Sequence, residues 1–223
     1  MANTAFVGLA TSLSTKFYMR NFYQKNKNAG IAGTRSEFSN TELCLADGIA
    51  LRRAVKRIGA SDYAEEKGED IRNSVLAFIE THNNALSSTS ASEDSSLTRY
   101  SKQLKSLAKT HSDELDKIGI TVNADGSMTS RESLFKTASL SKFKSLFSQE
   151  SDFMQRSSSL AKRISRRSED VDLSEKRRKL DAQKSSGTQP GASGANAILP
   201  AFAIPQADAT AMTGIGGSVD ISL

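Results

Sequence analysis

The residue types that could carry chemistry in this chain are few and far apart. His82 and His111 are the only histidines, each on the apolar side of a predicted helix, with no third nitrogen or thiolate near enough in sequence to complete a metal site. Cys44 is the single cysteine, so neither an internal disulfide nor a thiolate zinc cluster can form, and inside an amphipathic helix it reads as a small core residue. No serine lies in a G-x-S-x-G turn after a strand, and the run Gly214-Ile215-Gly216-Gly217 lacks the Lys, the preceding strand and the following helix of a phosphate loop. The pairs Glu65-Glu66, Glu69-Asp70 and Glu93-Asp94 fall in the first turns of predicted helices, where carboxylates complement the positive dipole end. They look too exposed for the shifted pKa that a general acid needs. The chain is therefore expected not to be an enzyme, and to use no cofactor, metal or small-molecule substrate.

Two basic sets remain. Arg52, Arg53, Lys56 and Arg57, and again Lys162, Arg163, Arg166 and Arg167, recur at i, i+1, i+4 and i+5, which puts each set on one helix face. Such a face could meet a phosphate backbone or an anionic surface, and Lys176 to Lys179 adds a third cluster. No aromatic residues interleave with these charges to stack on bases, so nucleic acid is disfavoured and a solvated face is the plainer reading. The overall balance, 30 Lys and Arg against 25 Asp and Glu, gives only +5 and decides little.

The elements that must position these residues follow from periodicity. Hydrophobic residues make up 37% of the chain and aromatic residues 6%, with no Trp, so the core must be thin or elongated. Residues 1–38, rich in Gly, Asn, Ser and Thr, are expected to form a flexible arm. Ser39 and Glu42 have the spacing of a capping box, and Cys44, Gly48, Leu51, Val55 and Ile58 predict a helix over 41–58. Ile71, Val75, Phe78, Ile79, His82 and Leu86 stripe a second helix from about 63, expected to end in the run Ser87 to Ser92. A third, over 95–117, carries a narrow seam through Leu97, Leu104 and Leu107, of the kind that pairs long helices. Ile118, Ile120 and Val122 then alternate as a half-buried strand does, and Asp125-Gly126 supplies a turn, which predicts a hairpin over 118–128. A second capping box is read at Thr129 and Glu132. Further helices follow through Phe135, Phe143, Leu146 and Phe147, and then through Phe153 to Ile164 with a basic end. A helical domain over 39–170 is thus followed by a charged extension over 171–184. The tail over 185–223 holds all three prolines and is expected to be disordered. The fold expected is mostly α: an elongated, coiled-coil-like bundle with one small hairpin and flexible termini. No apolar run could span a bilayer and no leader is evident, so a soluble protein is expected.

The order of these elements resembles the carboxy-terminal helical region of the flagellar hook-associated protein 2 family, the filament cap. The matching residues are Phe78, Asn83 and Leu86, then Gly119, Ile120, Asp125, Gly126 and Met128, then Leu146 and Phe147, across about residues 65–167. His82 stands where that family usually has tyrosine, and the large central insertion of a full-length cap is missing. The resemblance implies a secreted structural protein of the bacterial flagellum, exported through the type III route. It would form a homo-oligomer and guide flagellin subunits into place. The residues expected to carry assembly are Phe78, Asn83, Leu104, Leu107, Gly119, Ile120, Asp125, Gly126, Leu146 and Phe147. The alternative is a cytoplasmic helical adaptor that binds an anionic surface or nucleic acid through Arg52, Arg53, Lys56, Arg57, Lys162, Arg163, Arg166 and Arg167.

Overall fold

The computed structural model describes residues 13–186, with side chains placed through Lys184. In chain order the elements are α1 (Leu13–Phe22), α2 (Asn40–Gly59), α3 (Gly68–Ser90), α4 (Ser95–Thr110) and α5 (Ser112–Asp116). The strands β1 (Ile120–Val122) and β2 (Met128–Ser130) follow, then α6 (Glu132–Thr137), α7 (Leu140–Phe147) and α8 (Asp152–Ser186). The fold is mostly α with a single two-stranded hairpin among the described residues.

Four of these helices close on one another: α2 packs on α3, α3 on α4, α4 on α8, and α8 back on α2. Their directions follow from named contacts. Asn40 at the start of α2 donates to the Ser88 carbonyl at the end of α3. Thr41 donates to Glu175, whereas Gly59 faces Gln149, so α2 and α8 run antiparallel. Asp94, which caps α4, meets Arg167, and His111 at the other end of α4 lies beside Asp152. The result is an up-down-up-down bundle whose fourth helix is separated from the third by the hairpin and two short helices.

The start of α2 is set as its sequence predicts. Ser39 Oγ accepts from Glu42 N and Glu42 Oε2 accepts from Ser39 N, a complete capping box. The apolar stripe Leu51, Ala54 and Ile58 is fully buried, as are Leu97, Leu104 and Ala108 of α4 and Ile164 of α8. Each buried Leu or Ile contributes about 1.5–3 kcal/mol relative to exposure. At the crossing of α2 and α8, a Cβ on Gly48 would lie 2.9 Å from both Ile164 Cγ2 and Ser165 N, so the two backbones approach as closely as they do because position 48 has no side chain.

Several expectations are corrected by the structure. The arm expected to be flexible over 1–38 is folded from Leu13 onward: Tyr18, Phe22 and Tyr23 are buried against the bundle. Asp47 of α2 and the amides of Asn73 and Asn84 of α3 hold it there: Tyr23 donates to Asp47, Thr15 donates to Asn73, and Asn84 donates to the Tyr23 hydroxyl. Helix α3, as expected, ends inside the run Ser87 to Ser92. It continues to Ser90, because Ser88, Thr89 and Ser90 turn their hydroxyls back onto carbonyls of the preceding turn instead of initiating a new one. The helix expected over 95–117 breaks at His111 into α4 and α5. The hairpin predicted over 118–128 has its second strand at 128–130, paired Ile120 to Ser130 and Val122 to Met128. Thr129 is therefore a strand residue opposite Thr121, and α6 starts after Arg131 without a side-chain cap, so the second capping box does not form. Finally, Lys162 to Arg167 do not end a helix. They sit in the middle of α8, which carries straight through the charged stretch 171–184. Residues 187–223, most of the expected tail, lie outside the described residues.

Candidate functional site

The residues that carried the resemblance pack around the middle of α3, Phe147 against Phe78 and Met128 against Asn83. Strand alternation leaves the Met128 N–H and C=O pointing away from β1, because the bonded pairs of this ladder are Asn123 with Ser127 and Gly119 with Arg131. Asn83 fills that edge. Its Nδ2 donates to Met128 O and its Oδ1 accepts from Met128 N, both at 2.8 Å, so one buried amide serves as a neighbouring strand would. Gly126 turns the hairpin at φ +91° and Gly119 begins it at φ +78°, a backbone region that favours glycine. Asp125 stays exposed and closes the loop by accepting from Ser127 N and Ser127 Oγ.

One residue earlier on α3, His82 is fully buried and neither ring nitrogen makes a hydrogen bond among the described residues. Burial pushes its pKa down to about 4; the Gly126 backbone lies near enough to oppose the shift, without meeting hydrogen-bond geometry. One turn before it, Phe78 meets Phe147 and Phe153 with centroids 5.6 and 5.9 Å away, and those two rings meet each other at 5.8 Å, all three pairs edge to face. Helix α3 thus carries the three short motifs in one packed unit.

The seam expected to join one chain to another is used inside the chain. Phe78, Leu104, Ile120 and Phe147 are fully buried, and Leu107 and Leu146 nearly so, because α4 faces α3 and α8 of its own bundle and α7 packs on α8. These residues hold the fold and present no surface to a second copy.

The basic sets are divided by their surroundings. Arg167 forks onto Asp94, its Nη2 2.6 Å from Oδ2, and that hydrogen bond holds the Asp94 carboxyl below the usual carboxylate range. Arg53 Nη1 donates to the Phe22 carbonyl at 3.0 Å, and Arg57 lies over the Tyr18 ring at 5.8 Å. Lys56, Lys162 and Arg163 are exposed. Arg52, Arg53 and Arg166 line one cleft of about 520 Å³ between α2, α8 and the segment after α1, together with Lys25, Phe22, Ile49 and Glu169. Arg53 and Arg57 of the first set and Arg167 of the second are therefore engaged within the fold, and the sets do not act as two uniform faces.

A buried polar cluster was not foreseen. Asp47, wholly inside, accepts two charge-assisted bonds from Arg35 at 2.9 and 2.8 Å and a third from the Tyr23 hydroxyl at 2.6 Å, and Asn84 donates to that hydroxyl. Burial and the Asp47 carboxylate push the Tyr23 phenol well above its ordinary value, so it stays protonated and donates. The signal was present in α2: position 47 falls on the same stripe as Cys44, Gly48 and Leu51, and an acid there requires a buried partner. Cys44 itself is buried beside this cluster, where burial raises its thiol to about 11 and leaves it protonated.

No helix among the described residues is long and apolar enough to cross a membrane. Comparison with protein-family models, with curated proteins and with solved structures finds no match to this chain.

Proposed function

We propose that the protein is a non-enzymatic structural protein that works by self-assembly, in the manner of the flagellar filament cap, with flagellin as the subunit it guides. The observation that supports this reading is the convergence on α3: Phe78, Asn83, Gly126, Met128 and Phe147, taken from three separate short motifs, form one contiguous unit.

Because the Leu104 and Leu107 seam is spent inside the bundle, assembly draws on surface that the chain leaves open. Helix α8 bonds α2 through Glu175 and continues to Ser186, and Leu173 and Leu180, seven residues apart, are 49% and 57% exposed. A seven-residue apolar spacing is what one helix offers another in a coiled coil. On this reading the export route is the flagellar type III channel, and the site of action is the filament tip.

Light scattering coupled to size exclusion, at low and high salt, tests the proposal. A discrete oligomer that persists in high salt, and that Leu173→Ser with Leu180→Ser reduces to monomer, is the expected result. A monomer at every concentration and salt would remove the assembly reading. An oligomer that dissolves as salt rises would favour an adaptor acting through basic faces instead.

A further inference from the structure

We propose that the cleft where the segment after α1, the second half of α2 and the middle of α8 meet is a binding site for a compact polyanion. The ligand class is a phosphate-bearing group of at least two negative charges, held by Lys25, Arg52, Arg53 and Arg166.

Four cations from three elements line this cleft against one acid, Glu169. Some bases elsewhere are neutralised, Arg35 by Asp47, Arg167 by Asp94, Arg156 by Asp152 and Lys176 by Asp172. Lys25, Arg52 and Arg166 make no such pair among the described residues, although α8 offers Glu169 and Asp170 within a turn of Arg166. Arg53 is already placed, since its bond to the Phe22 carbonyl ties one arm of the guanidinium to the cleft wall and leaves the rest of the fork for a ligand. Beneath the charges, Leu45, Ala46 and Ile49 are half-buried and apolar, so a bound anion meets less water on that side and its attraction to the cations is less screened. The volume, about 520 Å³, lies in the range of small-ligand sites. Guanidinium forks match the oxygen geometry of phosphate, and several of them around one space favour a multiply charged group over a single carboxylate.

Such a ligand would touch both the segment after α1 and the bundle, and so would fasten one to the other. The group could belong to a soluble phosphorylated molecule or to an anionic lipid headgroup, and the test separates these sources.

The full-length protein is titrated calorimetrically with sodium tripolyphosphate in about 0.15 M salt, where loose surface attraction is screened. A parallel titration uses phosphatidylcholine vesicles with and without phosphatidic acid. Two double variants are compared: Arg52→Ala with Arg166→Ala, inside the cleft, and Lys162→Ala with Arg163→Ala, equally basic but outside it. Saturable one-site binding of tripolyphosphate, weakened about tenfold or more by the first pair and left within about twofold by the second, is the expected result. Binding confined to phosphatidic acid vesicles, with the same dependence on the first pair, keeps the site and assigns the headgroup as its source. Absence of saturable binding to either probe overturns the proposal. So does equal weakening by both pairs, which would mean general surface charge, or indifference to the first pair.

Discussion

Replacing Asn83 tests the central packing argument most directly. In Asn83→Ala the Met128 N–H and C=O both lose their partner, because β1 lies on the other side and cannot replace it. A buried backbone group left unpaired costs about 1–3 kcal/mol. Met128 itself is 1% exposed, whereas Asn83 is 9% exposed, so a little water can reach the vacated space and soften the loss. The expected destabilisation is about 2–4 kcal/mol in urea unfolding. Asn83→Asp sharpens the test. It keeps the shape and the acceptor for Met128 N, but sets a second acceptor against Met128 O and brings a charge into the protein. It should therefore be at least as damaging as alanine. Hydrogen exchange locates the effect: the Met128 amide should lose more protection than the Gly126 amide, whose bond to Asn123 O lies within the turn. An Asn83→Ala protein within about 0.5 kcal/mol of the parent, or an aspartate variant as stable as the parent, would refute the strand-like role of this amide.

Other perturbations probe other parts of the fold. Gly48→Ala should lower stability by about 1–3 kcal/mol through overpacking against Ile164 and Ser165, even though alanine favours helix over glycine by about 1 kcal/mol; a more stable variant in thermal melting would show that the α2–α8 crossing is loose. Gly126→Val should cost at least about 1–2 kcal/mol, since it places a β-branched residue at φ +91° and drives its Cβ to within 2.7–2.8 Å of Lys105; an unchanged melting curve would mean that the turn is misdrawn. His82 stays neutral in the fold to about pH 4, while the unfolded chain takes up a proton near 6.5, so the fold is fully stable above 6.5 and weakens as pH falls toward 4. The full span amounts to about 3 kcal/mol. Asp94 and Asp125 also add acid sensitivity, so the signature is the stability difference between parent and His82→Phe, which should be constant above pH 7 and shift in favour of the variant below 6; parallel curves throughout would rule out the histidine as the cause.

Much of this architecture was legible because its signals are local. The Ser39–Glu42 box, the α2 stripe and the α4 seam depend on residues three to seven apart, and each formed where periodicity placed it. What could not be read depends on distant partners. Asp47 finds Arg35 and Tyr23 across a turn of chain that looked loose, and that pairing fastens the segment between them to α2. Thr129 carried the spacing of a cap but was claimed by the ladder opposite Thr121, since a five-residue loop rather than a two-residue turn sets the register. The basic sets read as faces by helical geometry alone, but only the packed neighbours Phe22, Asp94 and Tyr18 decide which of those cations remain available.

The antiparallel union of α2 and α8 also has a kinetic meaning. Its contact between Thr41 and Glu175 spans 134 positions, whereas α2–α3 and α3–α4 are joined by short connections. Closure of the longest loop is the slowest entropic step, so the three earlier helices can associate while the groove beside Gly48, Leu51 and Ile58 stays open. A nascent chain would carry that apolar strip uncovered until its last described helix has been made. A ribosome stalling before residue 152, or a protease cutting there, would therefore leave a product prone to aggregation.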